Sequence, residues 1–193
     1  MKEILFGSFN LHKAEECQAL MQGIAKIRSC SEFPGLTEPE EPGETFAENA
    51  LIKARYYHAM TGLPVFADDS GLEIEALQGA PGVHSAYYGG EHGNASQNIA
   101  RILQELAGVT NRKARFVTVI AFIDEQKTEH LFEGSIEGMI LTAPVGNHGF
   151  GYDPVFVPDG YPQSFAEMLA EEKNRISHRA RAMNSFRSYL CKI

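Results

Sequence analysis

The stretch VFADDSGLEI at 65–74 sets two aspartates side by side at the point where an apolar run meets a serine and a glycine. Carboxylates in such a place can hold a hard cation or take a proton from water. If 63–69 is a strand, alternation sends Asp68 and Asp69 to opposite faces, so the two are not a joint acid/base pair. One can reach a ligand while the other braces the backbone. An Asx turn ahead of Gly71 reads the same residues equally well. A second acidic group, Glu40-Glu41-Pro42-Gly43-Glu44, precedes a segment bearing Asn49 and Lys53. It is either a solvated loop or a carboxylate offered to Mg²⁺, which takes one or two carboxylates together with waters and substrate phosphates.

Three further clusters carry chemistry. Ser8-Phe9-Asn10-Leu11-His12-Lys13 lies where a first strand would feed a first helix. Free amides at a helix start attract an anion, and Lys13 adds charge; a plain turn capped by Ser8 or Asn10 is the simpler reading. The loop lacks the glycines and the Gly-Lys-Ser/Thr ending of a Walker A motif. Gly146-Asn147-His148-Gly149-Phe150-Gly151-Tyr152-Asp153-Pro154 combines glycines that let backbone approach a flat ligand with rings that stack on a base. Finally, Glu171 to Arg179 (EEKNRISHR) places Lys173, His178 and Arg179 before and at a helix start. Cations oppose the helix dipole there, which favours a bound anion; the plain alternative is a surface patch paired with Glu171 and Glu172.

These residues need elements to hold them. Residues 2–8 read as a short strand, and Leu11, Ala14, Cys17, Leu20 and Met21 recur at helical spacing over 12–22. Thr45-Phe46-Ala47-Glu48 is a capping box, followed by a stripe of Phe46, Ala50, Ala54 and Tyr57 and a stop at Gly62 and Pro64. Residues 63–68 predict a buried strand, and 71–77 a second strand or a short helix. A helix over 94–107 ends at Gly108. RFVTVIAFID at 115–124 is the best strand, with two more at 127–133 and 135–142 completing a meander. Ser164-x-x-Glu167 predicts another capped helix, and the last helix starts near Ser177 with Ala182, Phe186 and Leu190 on one face. The mixture predicts an α/β (α+β) chain with a mixed sheet.

Composition bounds the partners. With 193 residues, 44% of them hydrophobic, the chain can build one sizeable core, as a single domain or two packed lobes. A net charge of −8 argues against a protein that grips a nucleic-acid backbone. No window is long and apolar enough for a membrane span, and no signal-peptide pattern opens the chain. Three cysteines at scattered positions fit neither a disulfide framework nor a cysteine metal site, and point to the cytoplasm.

Taken in order, SFNLHK at 8–13, GETFAENALIKARYY at 43–57, ADDSGLEIEALQGAPGVHSA at 67–86, GFGYDP at 149–154 and EEKNRISHRARA at 171–182 resemble the inosine triphosphate pyrophosphatase (Ham1-like) family. The resemblance implies one domain over 1–193, with an elongated mixed β-sheet, flanking helices and two lobes around a central nucleotide-binding cleft. It also implies a homodimer and an Mg²⁺-dependent attack of water on the α-phosphorus of ITP, dITP or XTP. Carried over by position, Glu41 and Asp69 are the metal carboxylates, and Asp69 is the catalytic proton acceptor. Ser8, Asn10, Lys13, Lys53 and Ser70 would meet the triphosphate. Phe150, Gly151, Tyr152 and Asp153 would bind the base and Lys173 the nucleotide, with His178 and Arg179 near the 6-oxo group. Two departures bear on this: Ser8-Phe9-Asn10 where the family has Thr-Gly-Asn, and Tyr87 where its bacterial members have arginine. They leave a second function in view, a nucleotide-binding protein with weakened catalysis.

Overall fold

The structure, a computed structural model, describes residues 2–192. The chain runs β1 (Lys2–Phe6), α1 (Leu11–Leu20), β2 (Ala25–Ser29), α2 (Phe46–Thr61), β3 (Val65–Ile74), α3 (Ala95–Glu105), β4 (Lys113–Ile123), β5 (Glu129–Ile140), β6 (Phe156–Pro158), α4 (Ala170–Ile176) and α5 (His178–Leu190). The strands form one six-stranded sheet in the order β2-β1-β3-β4-β5-β6. β1 pairs in parallel with β2 and with β3, while β5 and β6 are antiparallel. The sheet is therefore mixed and the fold α/β, as the sequence predicts.

Two compact units divide the chain. The first comprises residues 1–69, 118–134 and 179–193, and the second 70–117 and 135–178. In the first, α1 and α5 bury apolar side chains against β1, β3 and β4: Phe6, Cys17, Phe66, Phe122, Met183 and Phe186 belong to one core. In the second, Leu72, Ile102, Phe116, Phe156 and Phe165 make another.

Local rules account for most boundaries. Thr45 and Glu48 form the reciprocal capping box that starts α2, and Gly62 ends it in the left-handed conformation, its N–H donating to the His58 carbonyl. Phe46, Ala50, Ala54 and Tyr57 are all buried, the stripe the spacing predicts. On α1 the stripe is narrower: Cys17 and Met21 are buried, but Leu11 is exposed.

Four expectations change. The stretch 65–74 is one strand, neither a strand ending at the aspartates nor a turn at Ser70-Gly71; eight of its ten residues are buried. A strand buried on both faces shows no alternation to distinguish it from a loop-bound run. The two strands expected over 127–142 are also one, because the exposed/buried alternation of β5 continues through Gly134 and Ser135. No helix follows Ser164. Its amide donates to Glu167 Oε2 at 2.8 Å, but its hydroxyl is drawn to the Val145 carbonyl at 2.8 Å, leaving a single turn. Ala170–Ile176 form a helix of their own, α4, so Lys173 and Arg175 occupy its last turn, where the dipole favours cations.

Candidate active site

Asp68 and Asp69 leave β3 in opposite directions and find different partners. Asp68, 1% exposed, takes Lys13 Nζ at 3.2 Å and Arg179 Nη2 and Nε at 3.1 and 3.3 Å. Arg179 is equally buried and spends its remaining Nη1 on Glu16. A buried guanidinium is tolerated only when its fork is filled by acceptors. Here burial opposes its charge, but Asp68 and Glu16 outweigh burial and hold its pKa above the ordinary arginine value. For Lys13 burial wins: its pKa is lowered, with the Asp68 charge pulling the other way.

Asp69 meets the other helix. Lys53 Nζ lies 3.2 Å from Asp69 Oδ1 and 2.5 Å from Glu41 Oε2, and the Asn49 amide reaches Asp69 Oδ2 at 3.4 Å. Asn49 and Lys53 are one helical turn apart on α2, so the capping box that starts this helix also aims both side chains at β3. Asn49 also accepts from the Gly43 amide at 2.8 Å, tying down the loop that carries Glu41. Burial raises the pKa of Asp69, opposed by Lys53 and Lys13. Burial alone would lower that of Lys53, but the Asp69, Glu41 and Asp68 charges outweigh it and raise it.

The donor set suits Mg²⁺. Two carboxylates that share one ammonium offer the hard oxygens such an ion prefers, and Glu41, with 36% of its side chain exposed, leaves room for water and phosphate oxygens. No cluster of three His, Cys, Asp or Glu side chains able to hold a metal occurs among the described residues. A two-carboxylate site completed by substrate is the kind these residues can build.

The loop before α1 is self-contained. Ser8 Oγ accepts from the Asn10 amide at 3.1 Å, and Asn10 Oδ1 caps the helix by accepting from the Lys13 amide at 3.1 Å. Phe9 is 37% exposed, its ring 6.5 Å from that of Tyr57. All of these residues belong to the first unit; Ser70, next to Asp69 on β3, opens the second.

The second unit gathers the aromatic residues. Lys173 Nζ pairs with Asp153 Oδ2 at 2.7 Å and lies 4.8 Å above the centroid of Phe150. The same carboxylate oxygen accepts from the Phe150 amide at 2.8 Å. Gly149 makes this possible: its φ is +72°, and a Cβ there would sit 2.0 Å from Asp153 Oδ2. Gly146 is equally constrained, since its Cβ would meet the Ala166 backbone at 2.3 Å. His178 lies flat on Phe116, with 4.6 Å between centroids and 11° between planes. Tyr152, next to Gly151, is buried and donates its hydroxyl to the Ser85 carbonyl at 2.8 Å.

The structure thus sorts the expected residues into three sets. Lys13 joins Asp68 and Arg179; Glu41 and Lys53 join Asp69; Phe150, Asp153 and Lys173 come together in the second unit. Arg179, which the resemblance puts near a 6-oxo group, has its guanidinium on Asp68 and Glu16. Two contributors escaped the sequence reading. Glu16 is an ordinary helix-surface residue by pattern. Asn98, on α3, accepts from Gly89 N and donates to the Ser85 and Ala86 carbonyls at 3.3 and 3.2 Å, fixing the loop on which Tyr152 rests. A lone Asn mid-helix was the only available signal. Tyr87 is 44% exposed, its hydroxyl 2.7 Å from His84 Nδ1.

Comparison with known proteins agrees with the fold and the motifs. The model of the Ham1 family matches residues 4–189. A dITP/XTP pyrophosphatase of Porphyromonas gingivalis is 48% identical over 191 residues, 98% of either chain, and one of Christiangramia forsetii is 43% identical over 98% of this chain and all of its own. A HAM1 protein from Coxiella burnetii superposes with a TM-score of 0.92 at 39% identity, over 100% of both chains. With five motifs in order, the mixed sheet and full-length matches on all three counts, the chain belongs to the Ham1 family.

Proposed function

We propose that this protein is a nucleoside-triphosphate pyrophosphatase that hydrolyses ITP, dITP and XTP to the nucleoside monophosphate and pyrophosphate, clearing deaminated purines from the nucleotide pool. The observation that carries the reading is the buried Asp69 facing Glu41 and Lys53, in a chain whose relatives bear the name dITP/XTP pyrophosphatase.

Glu41 and Asp69 would hold Mg²⁺, which when bound draws electron density from the phosphate oxygens and offsets their charge. Asp69 receives the proton of the attacking water as its oxygen bonds to the α-phosphorus. The bond from that phosphorus to the bridging oxygen breaks and pyrophosphate leaves. Lys13 and Lys53 neutralise the triphosphate, which is most of what phosphoryl chemistry asks of a protein. Ser8, Asn10 and Ser70 supply neutral contacts to it. The Phe150–Asp153 loop and Lys173 take the purine, with His178 donating to its 6-oxo oxygen. Adenine, with a 6-amino group, would leave that donor unpaired, the stronger form of discrimination. Arg179 braces Asp68 and, through it, Lys13. A homodimer in the cytoplasm belongs to the same proposal. For the described residues, no helix is long and apolar enough to cross a membrane.

Pyrophosphate release from ITP, XTP, GTP and ATP, with and without Mg²⁺, tests the reading. Metal-dependent turnover of ITP and XTP well above GTP and ATP is expected. Its absence would falsify the assignment, and tight ITP binding without turnover would support a binding protein instead.

A further inference from the structure

The space shared by Glu41 and Asp69 is filled by a side chain of the protein itself. The Lys53 ammonium touches both carboxylates, at 2.5 and 3.2 Å, and Lys53 is itself 8% exposed. A buried carboxylate and a more exposed one that share one ammonium gain from a cation between them, because like charges repel more strongly where one of them is poorly solvated. A tethered ammonium meets that need at every moment, whatever the ion concentration outside. It also excludes a second cation: a divalent ion a few ångströms from an ammonium is repelled rather than welcomed. Yet the lysine head sits on a four-carbon stem that can swing away, whereas Asp69 is fixed in β3 and Asn49 holds the Glu41 loop.

We propose that Lys53 is the resident counter-ion of the Glu41–Asp69 pair, so that a divalent cation gains the site only as the triphosphate draws the ammonium away. The inference rests on the metal assignment made above and adds an order to it. Metal and nucleotide bind with positive coupling, each relieving the obstacle to the other, and the nucleotide-free protein has little affinity for the metal. The site then does not carry a metal-activated water when there is no triphosphate to receive it.

Mn²⁺ alone, added to nucleotide-free protein and followed through the electron paramagnetic resonance of the free ion, tests this directly. Lys53→Met should bind Mn²⁺ about tenfold more tightly than the wild type, within the usual range of coupling factors. Lys53→Arg, which keeps the charge, should stay close to wild type. Lys13→Met removes a charge of the same sign that faces Asp68 instead, and should change Mn²⁺ affinity far less. Should Lys53→Met not fold, Lys53→Gln serves the same comparison. If Lys53→Met binds Mn²⁺ no better than wild type while Asp69→Asn weakens wild-type binding, the counter-ion role is wrong and the metal site stands. Gains as large in Lys13→Met would reduce the effect to net charge and overturn it too. If adding Asp69→Asn to Lys53→Met leaves Mn²⁺ affinity untouched, the metal assignment falls, and the inference with it.

Discussion

At the scale of single residues, adjacent aspartates on one strand have been given unequal tasks by nothing more than alternation. Asp68 is a buried anion balanced by two cations, so its neutral replacement strands Lys13 and Arg179. Asp68→Asn should therefore cost about 3–5 kcal/mol of folding stability in urea denaturation, the range for breaking one side of a buried ion pair. Asp69→Asn should fold nearly as well, because Asn49 and Lys53 still find an oxygen, but lose about 10³-fold or more in turnover through the missing proton acceptor and metal ligand. Turnover in Asp69→Asn equal to the wild type would remove Asp69 from its role. The alternation was legible from the sequence; the partners were not. Arg179 and Asp68 are 111 residues apart and Arg179 and Glu16 163, distances over which periodicity says nothing.

Elements behave in the same divided way. The capping box of α2 and its apolar stripe were readable because both are local, and once that helix is set the positions of Asn49 and Lys53 follow. The continuity of β3 and of β5 was not readable, since Gly71 and Gly134 look like breaks until neighbouring strands are present to hold them extended. The connection between β4 and β5 shows how much one side chain can organise. Asp124 accepts from the Gln126 and Thr128 amides at 2.9 and 2.8 Å and from His130, which in turn contacts the Tyr189 hydroxyl of α5. Burial would raise the Asp124 pKa, but these donors outweigh it and the net direction is down. A carboxyl with a lowered folded pKa stabilises above its ordinary value and loses that contribution as the pH falls through the folded one. The wild type should thus lose more thermal stability than Asp124→Asn between pH 7 and about 3, the variant being weaker by about 2 kcal/mol at neutrality. Parallel Tm–pH curves for the two proteins would contradict this.

On the scale of the whole molecule, each unit has its own core and its own share of the candidate residues. The chain passes from one unit to the other within β3, β4 and β5 and again between His178 and Arg179. The first unit holds the charged machinery, carboxylates and lysines, and the second the rings and the glycine-rich loop. The chain is acidic overall, with a net charge of −8. Even its clustered cations do not relieve that at the surface: Lys13, Lys53 and Arg179 are all drawn inward among Glu16, Glu41, Asp68 and Asp69. The boundaries of the units were not legible, because the changeovers lie inside regular strands and at the start of α5, where composition does not shift.

The uninterrupted course of β3 has a consequence in time. A strand flanked by β1 and β4 is among the last parts of a protein to open, so its amides trade hydrogen with solvent on the schedule of unfolding itself. The loop of Glu41 lies outside any helix or strand, tied to α2 through the Gly43 amide. Hydrogen–deuterium exchange read by mass spectrometry should find 65–70 still protonated long after 37–42 has exchanged, and early exchange across 65–70 would refute the assignment. At the proposed site, the strand sets where a cation is held, and the swing of the lysine stem sets how long it stays.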